Sequence, residues 1–229
     1  MDASVQKNPL GYEKLSRLLR TYAVPSVIAM LVSSLYNIVD QIFIGQGVGY
    51  LGNAATNVAY PLTTICLAIA LLIGIGSASR FSLKLGAGQP DDAAQTVGTA
   101  VCMMVALGVL YVIIIEIFLN PLLHAFGATA DVLPYAQEYT RITAVGMPLL
   151  ILTNGMSNLA RADGSPKYSM TCMLLGAVIN TILDPIFIFV FEMGMAGAAI
   201  ATVAGQVVSV LMALRYLRKF RHVRLHRSH

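Results

Sequence analysis

Two aspartates in matching sequence contexts are the residues of this chain best suited to carry chemistry. Each opens the pattern Asp-x-Ile-Phe-Ile, once at 40–44 and again at 184–188, and each lies within a long apolar stretch. A carboxylate inside a membrane must be paired, protonated or hydrated, so it commonly marks an ion path, a proton relay or a counter-ion site. The repeated pattern therefore predicts an acidic site formed by Asp40 and Asp184, on two hairpins of similar design.

The composition predicts the elements that must hold these acids. Hydrophobic residues make up 57% of the chain, charged residues 11%, and the mean hydropathy is +0.73. Six apolar runs approach the roughly 20 residues that a helix needs to cross a bilayer. They cover 18–45, 57–82, 93–118, 138–160, 168–191 and 196–217. We therefore predict an all-α polytopic membrane protein, a bundle of six transmembrane helices.

The basic residues predict how the bundle is oriented. Of the 15 Lys and Arg residues, all but Arg141 fall on one side of the predicted spans. By the positive-inside rule both termini are cytoplasmic, which gives a cytoplasmic amino terminus over 1–17, a six-helix lobe over 18–217 and a basic cytoplasmic tail over 218–229. We expect a multi-pass protein of the cell inner (plasma) membrane. Its basic charge favours contact with the lipid bilayer, and no nucleic-acid recognition module accompanies it.

Polar neighbours at helical spacing extend the predicted acidic site. Counting along the spans places both acids in the outer half of the membrane. Asn180 lies four residues before Asp184, and Asn37 three before Asp40, so each acid should have an amide on its own helical face. Thr202 in the last span could add a hydroxyl. Such oxygens suit a hard monovalent cation or a shuttled proton.

Simpler interpretations of these residues remain open. Asp184 precedes a proline and could cap a helix near the interface, and Asp40, ahead of a glycine-rich loop, could be interfacial too. Hydrogen bonding between helices could be the only role of three asparagines, Asn154, Asn158 and Asn180. No nucleophile–base pair or metal-ligand spacing is present, so we predict neither an enzyme nor a cofactor.

A stripe of small residues predicts where the last helix packs closely. Small side chains recur every four residues in this span, at Gly197, Ala201, Gly205, Ser209 and Ala213. Lipid gives helices no hydrophobic reason to associate, so small faces that let backbones approach are a common solution. We therefore expect a tight helix contact along this face.

These motifs together resemble the multidrug and toxic compound extrusion (MATE) transporters, and their DinF-like branch in particular. The resemblance covers nearly the whole chain and rests on Asp40 and four segments in the family's order. They are Leu-Gly-Ala-Gly-Gln-Pro-Asp-Asp-Ala at 85–93, Arg-Ala-Asp-Gly-Ser-Pro-Lys at 161–167, Asn-Thr-Ile-Leu-Asp-Pro at 180–185 and Gly-Met-Ala-Gly-Ala-Ala at 194–199.

The resemblance implies multidrug efflux, the export of organic cations or amphipathic drugs by antiport with sodium or protons. It implies a site for the coupling ion, sodium or a proton, at Asp40, Asn180, Asp184 and Thr202. It also implies a bending hinge at Pro25. We also predict a substrate pathway at Tyr36, Asn37, Asn154 and Asn158.

The chain departs from the family in length. Family members have twelve spans in two lobes related by an axis along the membrane normal, whereas six are predicted here, as in one amino-terminal lobe. The chain could be a truncated product that lacks a second lobe, or a half-transporter that pairs as a parallel homodimer. The alternatives in function are a non-transporting fragment or membrane scaffold, and a related lipid-linked saccharide flippase, for which we would expect more cationic residues in the cavity.

Overall fold

The computed structural model describes residues 14–218, together with 220 and 223. The described residues form six long helices and no strand: α1 Leu15–Gly47, α2 Tyr50–Gly86, α3 Pro90–Ala125, α4 Leu133–Ala162, α5 Pro166–Pro185 and α6 Gly194–Tyr216. Each helix is long and apolar enough to cross a membrane, α5 together with the π-helical turn that follows it. The predicted six-span, all-α fold is confirmed. Residues 1–13 of the predicted amino terminus and most of the tail over 218–229 lie outside the described residues.

Most helices extend beyond the predicted spans. α2 begins seven residues before the predicted position 57, and α4 begins five residues before position 138. The prediction followed apolar runs alone, whereas a helix continues through polar residues as long as its backbone hydrogen bonds are made. The helices are therefore longer than the roughly 20 residues needed to cross the hydrocarbon core of a bilayer.

The central helix of the bundle is α4, whose span is the most buried of the six. It packs against α2, α3 and α6. Close approach depends on glycines, because Gly108 of α3 lies directly against Pro148, and Met104 covers Gly155. By contrast, α1 is mostly exposed and packs chiefly against α5. The bundle thus has a firmly held centre and one loosely held helix.

The predicted small-residue stripe is confirmed as the contact between α5 and α6. All five of its residues are buried. A Cβ added to Gly205 would lie 2.6 Å from the carbonyl oxygen of Gly176, so the two backbones are too close for a larger side chain. The Ser209 hydroxyl also donates to the Cys172 carbonyl at 3.0 Å. The stripe therefore fixes α5 against α6.

A wide turn ends α5. Pro185 closes the helix, and the chain continues as a π-helical turn over Ile186–Val190. Proline has no N–H and its ring crowds the preceding turn, so the regular hydrogen-bond ladder cannot continue through it. The Met193 N–H then donates to the Phe187 carbonyl at 3.0 Å. The chain turns back toward α6 directly after the second acid.

The basic side of the bundle is held by a buried hydrogen bond. Tyr216, the last residue of α6, donates its hydroxyl to the carboxylate of Asp163 at 2.7 Å. Asp163 lies in the tight α4–α5 turn, where Gly164 has a φ of 82° that favours glycine. The Tyr168 hydroxyl donates to the Met212 carbonyl at 2.8 Å. These bonds fasten the α4–α5 turn to the end of α6.

Candidate cation site

The two acids of the repeated pattern meet inside the bundle. Asp40 of α1 is 7% exposed and Asp184 of α5 is fully buried. Their carboxyl groups lie in hydrogen-bonding contact with each other. Ionised carboxylates have no donor, so such a contact requires a shared proton or a cation between the two groups. Each acid is therefore turned into the bundle and not toward its surface.

The amide of Asn180 connects Asp184 to α6. Its nitrogen lies 3.4 Å from Asp184 Oδ1 and 3.3 Å from Thr202 Oγ1. Turned over, the nitrogen donates to Asp184 Oδ2 at 3.2 Å and the oxygen accepts from the Thr202 backbone N–H at 3.2 Å. The second orientation satisfies both ends of the amide and is the one we adopt. Asn180 thus holds the Asp184 carboxylate in place.

The small-residue contact is what brings Asn180 to Thr202. A Cβ added to Gly205 would meet Asn180 Cβ at 3.2 Å, so the asparagine packs directly over the glycine. Thr202 lies one turn earlier on α6, and its hydroxyl donates to the Ala198 carbonyl at 3.0 Å. Close backbone approach along this contact therefore positions the polar groups beside Asp184.

Each repeated segment also packs against residues just beyond the end of the other. Ile188 contacts Gly47 at the end of α1. The rings of Phe43 and Phe189 meet edge to face, with centroids 6.2 Å apart and planes at 82°. Aromatic pairs favour this arrangement because the positive edge of one ring meets the negative face of the other. These contacts hold the outer end of α1 beside α5 and so bring Asp40 to Asp184.

The structure adds Tyr139 to the site, a residue that the sequence analysis missed. Tyr139 of α4 lies beside Thr202 and within electrostatic range of both acids. Tyr36 also lies within electrostatic range of both acids. Neither spacing nor a motif joins Tyr139 to residues on α5 and α6, so only the packing of α4 at the bundle centre reveals it. Two phenolic oxygens therefore stand near the acids.

The expectation that Asn37 neighbours Asp40 is wrong. Asn37 is exposed, and its amide donates to the Ser33 carbonyl at 2.7 Å. A separation of three residues leaves about 60° between two side chains around a helix. Asp40 faces α5, whereas the Asn37 amide finds a carbonyl on its own helix, as polar side chains often do. One Asp40 oxygen, Oδ1, is buried and receives no N–H or hydroxyl donor within residues 14–218.

The remaining predicted residues lie elsewhere. The Asn154 and Asn158 amides donate to carbonyls of α4 itself, each at 3.0 Å, and Asn154 is roughly 22 Å along that helix from Tyr139. Pro25 is buried in α1, a similar distance from Asp40. The structure does not bring these three residues to the acids. Their predicted roles in a substrate pathway or hinge remain predictions.

The assembled site offers only oxygen groups of the kind that hold protons and hard cations. Asp40 and Asp184 provide carboxylates, Asn180 provides an amide oxygen or donor, and the hydroxyls come from Thr202 and Tyr139. Sulfur and imidazole groups are absent from this set, which argues against soft metals. The chemistry that fits is reversible binding of a proton or a monovalent cation.

Comparison with known sequences supports a transporter family. The MatE family profile matches residues 25–186. The multidrug export protein MepA of Staphylococcus aureus (strain NCTC 8325 / PS 47) is 28% identical over 198 residues, covering 86% of this chain and 44% of MepA. MepA of Staphylococcus saprophyticus is 30% identical over 203 residues with the same coverage. The chain thus spans about half the length of the curated relatives that it matches.

Solved structures give the same result. The MATE multidrug transporter DinF-BH superposes with a TM-score of 0.89 at 34% identity, covering 99% of this chain and 50% of that one. An outward-facing multidrug resistance MATE transporter of the MOP superfamily gives a TM-score of 0.85 at 28% identity, covering 92% and 47%. With its six-helix fold and its family profile match, this chain belongs to the MatE family of transporters.

Proposed function

We propose that this chain forms one lobe of a secondary transporter that exports organic cations or amphipathic drugs by antiport with sodium or protons. The observation that carries this proposal is the buried Asp40–Asp184 pair, with Asn180 and Thr202 beside it. Intramembrane acids that contact each other have a strong need for a proton or cation. The relatives named as multidrug export proteins support the drug class.

Coupling would follow from the charge of the pair. With one proton shared, or with a sodium ion bound, the two carboxyl groups carry less net negative charge and remain stable in an apolar setting. When the ion leaves, repulsion between the buried acids favours a conformation that hydrates them or offers them another cation. The loosely packed α1, with Pro25 in its span, is the element that would move. Tyr36 and Asn37 on that helix would then meet the exported compound.

The assembly that we propose is a parallel homodimer, or a pairing with a second lobe of the same orientation. Lobes of this architecture are related by an axis along the membrane normal. An identical copy inserted in the same direction could therefore stand opposite this lobe. The distribution of basic residues supports one orientation for each copy, in the inner (plasma) membrane with both termini in the cytoplasm. A substrate cavity would lie between the two lobes.

The proposed function is tested with purified protein in liposomes that contain a fluorescent organic cation. Imposed proton and sodium gradients should each be compared for their ability to drive dye export. Asp40→Asn and Asp184→Asn should each abolish the gradient-driven component, whereas Asp91→Asn, a matched change at an exposed acid outside the site, should not. Export that continues unchanged in both site variants would refute the proposal.

Assembly is tested in the same preparation. Cysteine crosslinks between copies should form only between residues on the same side of the membrane. Crosslinks between oppositely inserted copies, or monomers that transport the dye alone, would refute the parallel dimer. A folded chain that exports no dye under either gradient would instead favour a fragment that needs its second lobe.

A further inference from the structure

A groove between α2 and α3 lies apart from the acid site. Its volume is about 460 Å³. It is lined along α2 from Leu72 to Arg80 and along α3 from Gln95 to Leu107. These residues occupy the half of each helix nearest the turn that joins α2 to α3, which is the side rich in basic residues. Asp40 and Asp184 lie near the opposite end of the bundle.

The groove changes character along its length. Its end near the α2–α3 turn is polar, with Ser77, Arg80, Gln95, Thr96 and Thr99. Its deeper part is apolar, and the side chains of Leu72, Met103 and Leu107 are exposed there. On α3 the lining extends over roughly 18 Å of helix. A polar mouth at the membrane surface with an apolar channel leading inward matches the shape of a membrane lipid.

The polar end of the groove carries hydrogen-bond donors that have no partner among the described residues. Within residues 14–218, Arg80 forms no ion pair, and neither Ser77 nor Gln95 makes a side-chain hydrogen bond. The nearby Asp92 is engaged by Lys84 at 2.8 Å, so this acid does not neutralise Arg80 by a direct bond. The two threonine hydroxyls at this end donate to backbone carbonyls of their own helix. Among residues 14–218, the Arg80 guanidinium, the Gln95 amide and the Ser77 hydroxyl therefore line the groove without a hydrogen bond or ion pair, with Asp92 within electrostatic range of Arg80.

We propose that this groove binds a phospholipid with a net-anionic headgroup, its phosphate held by Arg80, Gln95 and Ser77 and one acyl chain lying along Leu72, Met103 and Leu107. Guanidinium groups bind phosphate oxygens through charge-assisted, often paired hydrogen bonds. Basic residues at the cytoplasmic membrane surface attract anionic lipid. The apolar floor is what favours a lipid over free phosphate. This site is independent of the transport activity proposed above.

The test uses tryptophan as a reporter, since the chain contains none. Met103→Trp places one inside the groove. Val105→Trp is the matched control, two residues along the same helix, 43% exposed against 47% for Met103, and outside the groove. Each variant is reconstituted into vesicles containing phosphatidylglycerol or phosphatidylcholine with brominated acyl chains. The measurement is the quenching of tryptophan fluorescence by each lipid.

Brominated phosphatidylglycerol should quench the fluorescence of Met103→Trp at a lipid fraction about fivefold lower than brominated phosphatidylcholine requires. This factor corresponds to the attraction of one basic side chain to anionic lipid. Val105→Trp should be quenched equally by both. Adding Arg80→Gln to Met103→Trp should remove the preference, while Lys167→Gln, a matched loss of charge outside the groove, should not.

Equal quenching of Met103→Trp by the two lipids would overturn the proposal, because it would mean an ordinary lipid-facing surface. Quenching by neither lipid would also overturn it, since another copy of the chain would then cover the groove. A preference that survives Arg80→Gln would remove that residue from the site and refute the assigned phosphate contact. If Met103→Trp does not fold, Leu107→Trp, which lines the same groove, takes its place as reporter.

Discussion

The two Asp-x-Ile-Phe-Ile segments have matching sequences but different surroundings. In the segment at 184–188, Pro185 ends α5, and the chain continues as a π-helical turn that packs against α6. The segment at 40–44 continues as regular helix to the end of a largely exposed α1. Asp184 is bound by Asn180, whereas one Asp40 oxygen has no N–H or hydroxyl donor among the described residues.

This difference separates a fixed acid from a movable one. Asp184 belongs to the close contact between α5 and α6, where Asn180 orients its carboxylate. Asp40 depends on α1, whose main support is α5 itself. A site made of one fixed and one movable carboxylate can open without unfolding its better-packed half. The shared pattern therefore supplies two acids, and the packing around each gives it a distinct role.

Lengthening each acid by one methylene gives the strongest test of this distinction. Asp184→Glu should lower gradient-driven dye export by about tenfold or more, because overpacking a filled interior costs ~1–3 kcal/mol. Asp40→Glu should retain most of the export, since α1 can shift to accommodate the longer side chain. The measurement is the initial export rate in proteoliposomes. Equal losses in the two variants would mean that both acids are equally fixed.

The two asparagines give the next largest contrast. Asn180→Leu leaves the buried Asp184 carboxyl without its amide donor, a loss of ~1–3 kcal/mol. Because that donor stabilises the ionised carboxylate, its loss should strengthen the apparent affinity for the coupling ion by roughly fivefold or more. Asn37→Leu should change this affinity little, because the Asn37 amide donates to the Ser33 carbonyl and does not contact either acid. Measuring the export rate of each variant at increasing ion gradients gives its apparent affinity for the coupling ion. If Asn37→Leu changed this affinity as much as Asn180→Leu, the result would contradict the observed orientation of Asn37.

Two glycines test the support behind Asp184. Gly205→Ala places a Cβ 2.6 Å from the Gly176 carbonyl oxygen, so it should lower the free energy of unfolding by about 1–2 kcal/mol. Gly76→Ala, in the interior of α2 with no atom within 4 Å of the added carbon, should be neutral or stabilise by roughly 0.5 kcal/mol. Unfolding in increasing dodecyl sulfate measures both changes. A tolerated Gly205→Ala would show that the α5–α6 contact is looser than described.

The smallest expected effect comes from the ring contact between Phe43 of the first repeated segment and Phe189, the residue that follows the second. A double-mutant cycle on Phe43→Leu and Phe189→Leu should give a coupling free energy of about 0.5–1.5 kcal/mol, typical of edge-to-face rings. The same unfolding assay provides the four measurements. A coupling energy near zero would mean that the outer end of α1 is held by Ile188 on Gly47 alone.

Much of the fold could be predicted because it depends on local sequence. Apolar length gives the spans, and the four-residue stripe on α6 gives the face that meets α5. The same periodicity predicted that Asn180 lies beside Asp184, since four residues bring side chains nearly into line. For Asn37 the spacing of three was too weak a guide, because a local carbonyl competes for the amide. Its orientation depends on which face α1 turns toward α5.

The rest depends on contacts between distant segments. Tyr139 lies beside Thr202 only because α4 occupies the centre of the bundle, and nothing near position 139 marks that position. The π-helical turn at Ile186–Val190 had a local signal in Pro185, but the sequence does not say whether such a break ends a helix, bends it or widens it. In the structure this turn packs against α6, where Gly197 lies directly against the backbone of Phe187.

The position of Asp40 in the first helix has a consequence for how the protein is made. Ribosomes add about 5–20 residues per second, so α1 enters the membrane on the order of ten seconds before α5 is synthesised. During that interval Asp40 has neither Asp184 nor the contacts of Phe189 and Ile188. The nascent helix must therefore carry this acid protonated or keep it near the insertion channel until its partner arrives. The order of the helices along the chain thus leaves one buried carboxyl group without its partner while the membrane-spanning helices are being made.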